Sequence, residues 1–149
     1  MFDVLKGEVN MINWTASESP DSDRTLLFDA GYKIENAKIT SVDLSMADHG
    51  VATLRLVLEG AGWGCVYGGY VLGKGYLGAD KFEGSAKGME SIIRIMDVVG
   101  VEQFNDMTGK IVRVATTGWA DSIKIIGNVL SDKWFDIDSF FKDKESEKE

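Results

Sequence analysis

The stretch "GKGYLG" places Gly73, Gly75 and Gly78 at the spacing of a dinucleotide-binding loop, G-x-G-x-x-G. That chemistry needs a strand running into the loop and a helix opening directly on it, so that the helix N-terminus faces a pyrophosphate. The strand-like run "WGCVYGGYVLG" precedes the motif, but "ADKFEG" separates it from the first helix signal at Ser85. The acid that would bind a ribose, about 20 residues on, falls at Asp97, inside the predicted helix. The glycines are therefore read as shape. Gly68–Gly69 let a strand coil sharply, and Gly73, Gly75 and Gly78 let the chain turn toward the helix. Gly73–Lys74 and Gly109–Lys110 both lack the Ser or Thr that follows the lysine in a triphosphate loop.

Other reactive residue types are sparse. His49 and Cys65 are the one histidine and the one cysteine, and their flanking residues match no nucleophile motif. Together they fall short of a zinc set, and the carboxylates lack calcium-loop spacing, so no metal or cofactor is expected. Asp132, Asp136 and Asp138 surround Trp134 and Phe135 without an evident partner base, which reads as a polar turn rimming an apolar cluster. These observations point away from an enzyme.

The elements that would carry these residues follow from periodicity. "KIENAKITSVDLSM" reads as a strand whose apolar parity changes between Ile39 and Val42, the signature of a bulge. "VATLRLVLEG" alternates cleanly, with Ala52, Leu54, Leu56 and Leu58 on one face. The third strand is "WGCVYGGYVLG". A helix capped by Ser85 and ended by Gly100 follows. Its predicted inner face is Met89, Ile92, Ile93, Met96 and Val99, and its outer face Lys87, Glu90, Ser91, Arg94 and Asp97. "VEQFNDMTG" has room for one short turn. "KIVRVATTGW" and "DSIKIIGNVL" form a second strand pair, and "DKWFDIDSFF" is an aromatic cluster that docks on the core. "TLLFDAGY" suits an added edge strand. The order β-β-β-α-β-β, with a single amphipathic helix, fits an α+β fold: a curled, mainly antiparallel sheet or small barrel.

The 149 residues carry a net charge of −8, spread along the chain. That disfavours direct nucleic-acid binding, which depends on cations displacing counterions, and favours partners with a cationic surface. No apolar run reaches the roughly 18–20 residues needed to cross a bilayer, and the N-terminus lacks signal-peptide character. A lone cysteine fits a reducing cytoplasm. Residues 1–32 read as an N-terminal extension with a linker, 33–141 as one domain, and 142–149 as a charged, flexible tail.

The segments "KIENAKITSVDLSMADHG", "GWGCVYGGYVLGKGYLGADKFEGSAKGMESIIRIMDVVGV", "GKIVRV" and "IKIIGNVLSDKWFD" resemble small proteins of unassigned activity carried by phages and prophages of Gram-positive, gut-type bacteria. The resemblance covers about residues 33–141. It implies a mobile-element protein acting in the bacterial cytoplasm, and it brings no catalytic residue with it. By analogy with small acidic phage proteins, the expectation is a non-enzymatic inhibitor of a host defence component, anti-CRISPR-like, that occludes a cationic nucleic-acid-binding surface. Its contact residues are expected at Tyr76, Leu77, Asp80, Phe82, Glu83, Glu90 and Asp97. One alternative is a single-strand-binding accessory of phage replication or recombination using Lys110 and Arg113. Another is a sponge for a nucleotide immune signal, with the glycine–aromatic segment as its pocket. Homo-oligomerisation stays open.

Overall fold

The computed structural model describes residues 22–75, 80–118 and 122–143. The elements run α1 (Asp23–Asp29), β1 (Lys33–Asp48), β2 (Val51–Gly60), β3 (Trp63–Lys74), β4 (Glu83–Gly84), α2 (Ala86–Val99), β5 (Ile111–Thr116), β6 (Ile125–Asn128), β7 (Trp134–Asp136) and α3 (Ile137–Lys142). A 3₁₀ turn at Phe104–Met107 lies between α2 and β5. The fold is α+β, with the seven strands in one sheet of order β4-β3-β2-β1-β5-β6-β7 and every pairing antiparallel.

The long β1 sets the curl. Its first part, Lys33–Lys38, pairs with β5, and the remainder pairs with β2. The register slips between Ile39 and Ser41, where the parity change predicted a bulge. Ala37 and Ile39 therefore face the core before the slip, and Val42 packs toward it after. The sheet bends enough that Tyr67 on β3 reaches across the opening and donates its hydroxyl to the carbonyl of Phe135 on β7, at 3.3 Å. It is thus a half-barrel whose seam is spanned by side chains.

The slip that matters most for the seam lies in β3, between its pairings with Thr53 and Arg55. Gly68 and Gly69 there have φ of +106° and +88°, backbone that only glycine adopts without strain. Trp63, Cys65 and Tyr67 pack inward before the bulge, and Tyr70 and Leu72 after it.

The concave face holds the main core: Leu54, Leu56, Leu58, Tyr67, Val112 and Val114 from the sheet, sealed by Ile95 and Val98 of α2 and Phe140 of α3. On the convex face a smaller cluster of Ala115, Ile125 and Trp134 is covered by Leu27 of α1.

Three expectations need correction. "TLLFDAGY" is no edge strand. Ser22 accepts a hydrogen bond from the Thr25 amide and starts α1 there. The sequence order also missed β4, β7 and α3, each six residues or shorter. The largest error concerns α2. Lys87, Gly88, Ser91, Ile95, Val98 and Val99 are its buried residues, whereas Met89 and Ile93 are 58% and 51% exposed. The cause is close packing on β3: a Cβ at Gly88 would fall 2.7 Å from the Cα of Leu72. The small Gly88 and Ser91 let the helix lie tight on the sheet, and the bulkier Met89 and Ile93 are turned away.

Candidate functional site

Two regions stand out: the outward face of α2 with the segment leading into it, and the mouth of the half-barrel.

On α2, Met89 and Ile93 lie one helical turn apart in solvent. Glu90 beside them pairs with Arg94 at 2.8 Å, and Asp97 pairs with Lys133 at 3.1 Å. Asp80, Phe82 and Glu83 precede the helix and are exposed. The ring of Phe82 lies over Gly73, where a Cβ would come within 2.4 Å of it, and stays 51% exposed. Five of the expected contact residues (Asp80, Phe82, Glu83, Glu90, Asp97) are therefore on the surface. Tyr76 and Leu77 lie outside the described residues. The two apolar anchors, Met89 and Ile93, were misassigned to the core from sequence. Periodicity alone does not separate them from Ile95 and Val98, because α2 carries apolar residues on both sides of the stripe.

Arg113 is turned into the fold. It is 7% exposed, donates to the carbonyls of Asn128 and Ser131 at 2.8 and 2.9 Å, and lies 4.7 Å from the centre of the Trp134 ring. Lys110 is exposed. The alternative thus loses one of its two cations to internal structure.

His49 and Cys65 are far apart. Cys65 is opposite Leu58 on β2, whereas His49 precedes Val51 at the strand's other end. Extended strand of that length is about 20 Å. Burial also pushes the Cys65 thiol up, away from the reactive thiolate. Among the described residues, no group of three His, Cys, Asp or Glu side chains is placed to hold a metal ion. No helix among them is long and apolar enough to cross a membrane.

The three aspartates do separate structural jobs. Asp132 accepts from the amides of Asp23 and Arg24 and from the Trp134 indole. Asp136 caps α3 through Ser139, and its burial pushes its carboxyl up. Asp138 accepts from the Tyr70 hydroxyl at 2.5 Å and pairs with Lys142 at 2.9 Å. Those two contacts hold its carboxyl below the ordinary 3.8. A carboxyl lowered by folding supplies stability above its unfolded pKa that is lost as pH falls through the folded one. Tyr70→Phe keeps the ring stacked on Phe141, 4.7 Å between centres, but removes the bond. The Asp138 carboxyl should then titrate higher by NMR. Stability at neutral pH should fall by about 1.5–3 kcal/mol, and the difference from the parent should shrink as pH falls through the carboxyl's lowered folded-state pKa. A constant difference across that range would count against the assignment.

The mouth cavity has a volume of about 450 Å³, and its walls come from the starts of β1 and β3, the end of β5 and Ser122–Ile123. Trp63 is its main wall. The indole lies directly on Gly60, where a Cβ would come within 2.2 Å, and donates its N–H to Glu35 Oε1 at 3.1 Å.

Comparison with protein-family models, with curated proteins and with solved structures returns no match.

Proposed function

We propose that this is a non-enzymatic binding protein that docks the outward face of α2 on a cationic, partly apolar protein surface and thereby blocks nucleic acid from it. In biological terms the reading is a phage-borne, cytoplasmic inhibitor of a host defence nuclease, anti-CRISPR-like. The observation that supports it is the exposed pair Met89 and Ile93, framed by Glu83, Glu90 and Asp97 on a chain of net charge −8. Apolar anchors inside a charged rim are the anatomy of a binding patch. Glu83 and the net negative charge of the chain suit Lys- and Arg-rich partners and repel phosphate backbones, while Glu90 and Asp97, paired with Arg94 and Lys133, offer charges that a partner can exchange.

The test is inhibition of DNA cleavage by purified CRISPR effectors of Gram-positive bacteria. Met89→Ala/Ile93→Ala should weaken inhibition by about 30- to 150-fold, as loss of two anchors worth about 1–1.5 kcal/mol each. Glu83→Lys/Glu90→Lys should slow association and alter its salt dependence. Both double variants should melt close to the parent, because the altered side chains are exposed. Inhibition that persists unchanged in both would place the contact elsewhere. Absence of inhibition against every effector would remove the nuclease reading.

A further inference from the structure

The structure assigns a second site, independent of the α2 face: we infer that the mouth cavity binds an uncharged, planar nitrogen heterocycle of nucleobase or nucleoside size.

Three features carry this. The first is a fixed aromatic wall. Trp63 is seated on Gly60 and tied to Glu35 through its one donor, so its ring is held in place before any ligand arrives. Val66 and Ile123 complete the apolar lining. A preformed aromatic wall of this kind stacks flat rings whatever their sequence of heteroatoms.

The second is an acceptor left over. Glu35 spends Oε1 on the indole, while Oε2 accepts no hydrogen bond from the described residues and lies 3.6 Å from the Lys33 ammonium. A carboxylate has room for further donors. Ring systems with two adjacent N–H donors, as on the hydrogen-bonding edge of guanine, match it. The hydroxyl of Ser122, on the same cavity, offers a further polar contact.

The third is charge. Among the described lining residues the charged ones are Lys33 and Glu35, which cancel, and the chain as a whole is strongly acidic. A phosphate would meet one cation already shared with a carboxylate, in a repulsive field. The site therefore favours the base or nucleoside over its phosphorylated forms, which argues against a sponge for a polyphosphate or cyclic dinucleotide signal. The volume, about 450 Å³, lies within the usual range for small-ligand pockets, and the mouth of a barrel is a usual place for one.

The experiment is an NMR titration of the full chain, following the Trp63 indole N–H, assigned with Trp63→Phe. The probes are guanosine, adenosine and cytidine, the triphosphate GTP, and ribose as a control without a ring. Guanosine should shift the Trp63 resonance saturably and bind at least tenfold more tightly than GTP. Glu35→Gln keeps an acceptor for the indole and should weaken guanosine about tenfold, with little change in melting temperature. Ribose should have no effect. No saturable shift with any nucleoside would overturn the inference. So would tighter binding of GTP, or guanosine affinity unchanged in Glu35→Gln.

Discussion

Asp132→Ala should lower stability by about 3–5 kcal/mol, with loss of helix α1 as its local sign. Asp132 is fully buried, and its carboxylate is shared by three donors: the Asp23 amide at 2.6 Å, the Arg24 amide at 2.9 Å and the Trp134 indole at 2.7 Å. Two of these are first-turn amides of α1, which have no partner inside the helix. Asp132 is therefore a cap supplied from 109 residues away. A seven-residue helix does not persist alone; it needs this cap, Ser22 and the burial of Leu27. Alanine leaves buried N–H groups at Asp23 and Trp134 without an acceptor, each costing about 1–3 kcal/mol.

The melting temperature should fall by about 10 °C, from roughly 2–4 °C per kcal/mol at this chain size. Hydrogen exchange should show the amides of Asp23–Asp29 losing protection before those of β1 and β2. Asp132→Asn retains one good acceptor but turns an NH₂ toward a donor, so it should lose about half as much. An alanine variant within about 1 kcal/mol of the parent would mean that α1 is held by Leu27 alone.

The aspartates show what was and was not legible in the sequence. Their clustering around Trp134 and Phe135 marked a polar rim on an apolar patch, whereas Asp132 and Asp136 are buried within the fold. Asp136 has a local partner in Ser139, but the long-range partners of the other two were invisible, because chain closure sets them: Asp132 by the return of α1, Asp138 by the sheet curling until Tyr70 arrives. The strands β1 to β3 were readable because alternation is a local property. The bulge after Ile39 was readable because a slip leaves a parity change in the residues themselves. The inner face of α2 was not. Ile92 and Met96 do pack on the core and Val99 is buried in it, but Met89 and Ile93 are as apolar as Ile95 and Val98, and the choice between them was made by the small residues Gly88 and Ser91. Hydrophobicity ranks a glycine low, whereas packing prefers it wherever two backbones come close. The mouth site escaped for a similar reason. Glu35 and Trp63 are 28 residues apart, and only the bend of β1 over β2 brings them together.

Gly68→Ala should cost about 3–4 kcal/mol, whereas Gly69→Ala one residue later should cost about 1–2. Both glycines have positive φ, so both variants strain the backbone. They differ in surroundings. A Cβ at Gly68 would sit 2.6 Å from the carbonyl oxygen of Leu54, a main-chain atom of the neighbouring strand, while the nearest atom at Gly69 is Arg55 Nε at 3.8 Å. A side-chain end swings aside; a paired strand does not. Gly64→Ala is the control. Its φ is not positive, its Cβ would meet the Leu58 carbonyl at 3.4 Å, and the change should stay within about 1 kcal/mol of neutral. Urea unfolding of the three variants would check the ranking.

The consequence reaches past stability, because the bulge decides which way the rest of β3 faces. With the extra residue, Tyr70 points inward to Asp138 and stacks on Phe141. Deleting Gly69 removes one residue and inverts the parity beyond it. Tyr70 should then turn to solvent, the shifts that its ring imposes on Phe141 should disappear from the NMR spectrum, and the seam should be held by Tyr67 alone. Retention of those shifts in the deletion variant would show that the strand re-forms its bulge elsewhere. Gly68 and Gly69 would then be convenient for the turn but not its cause.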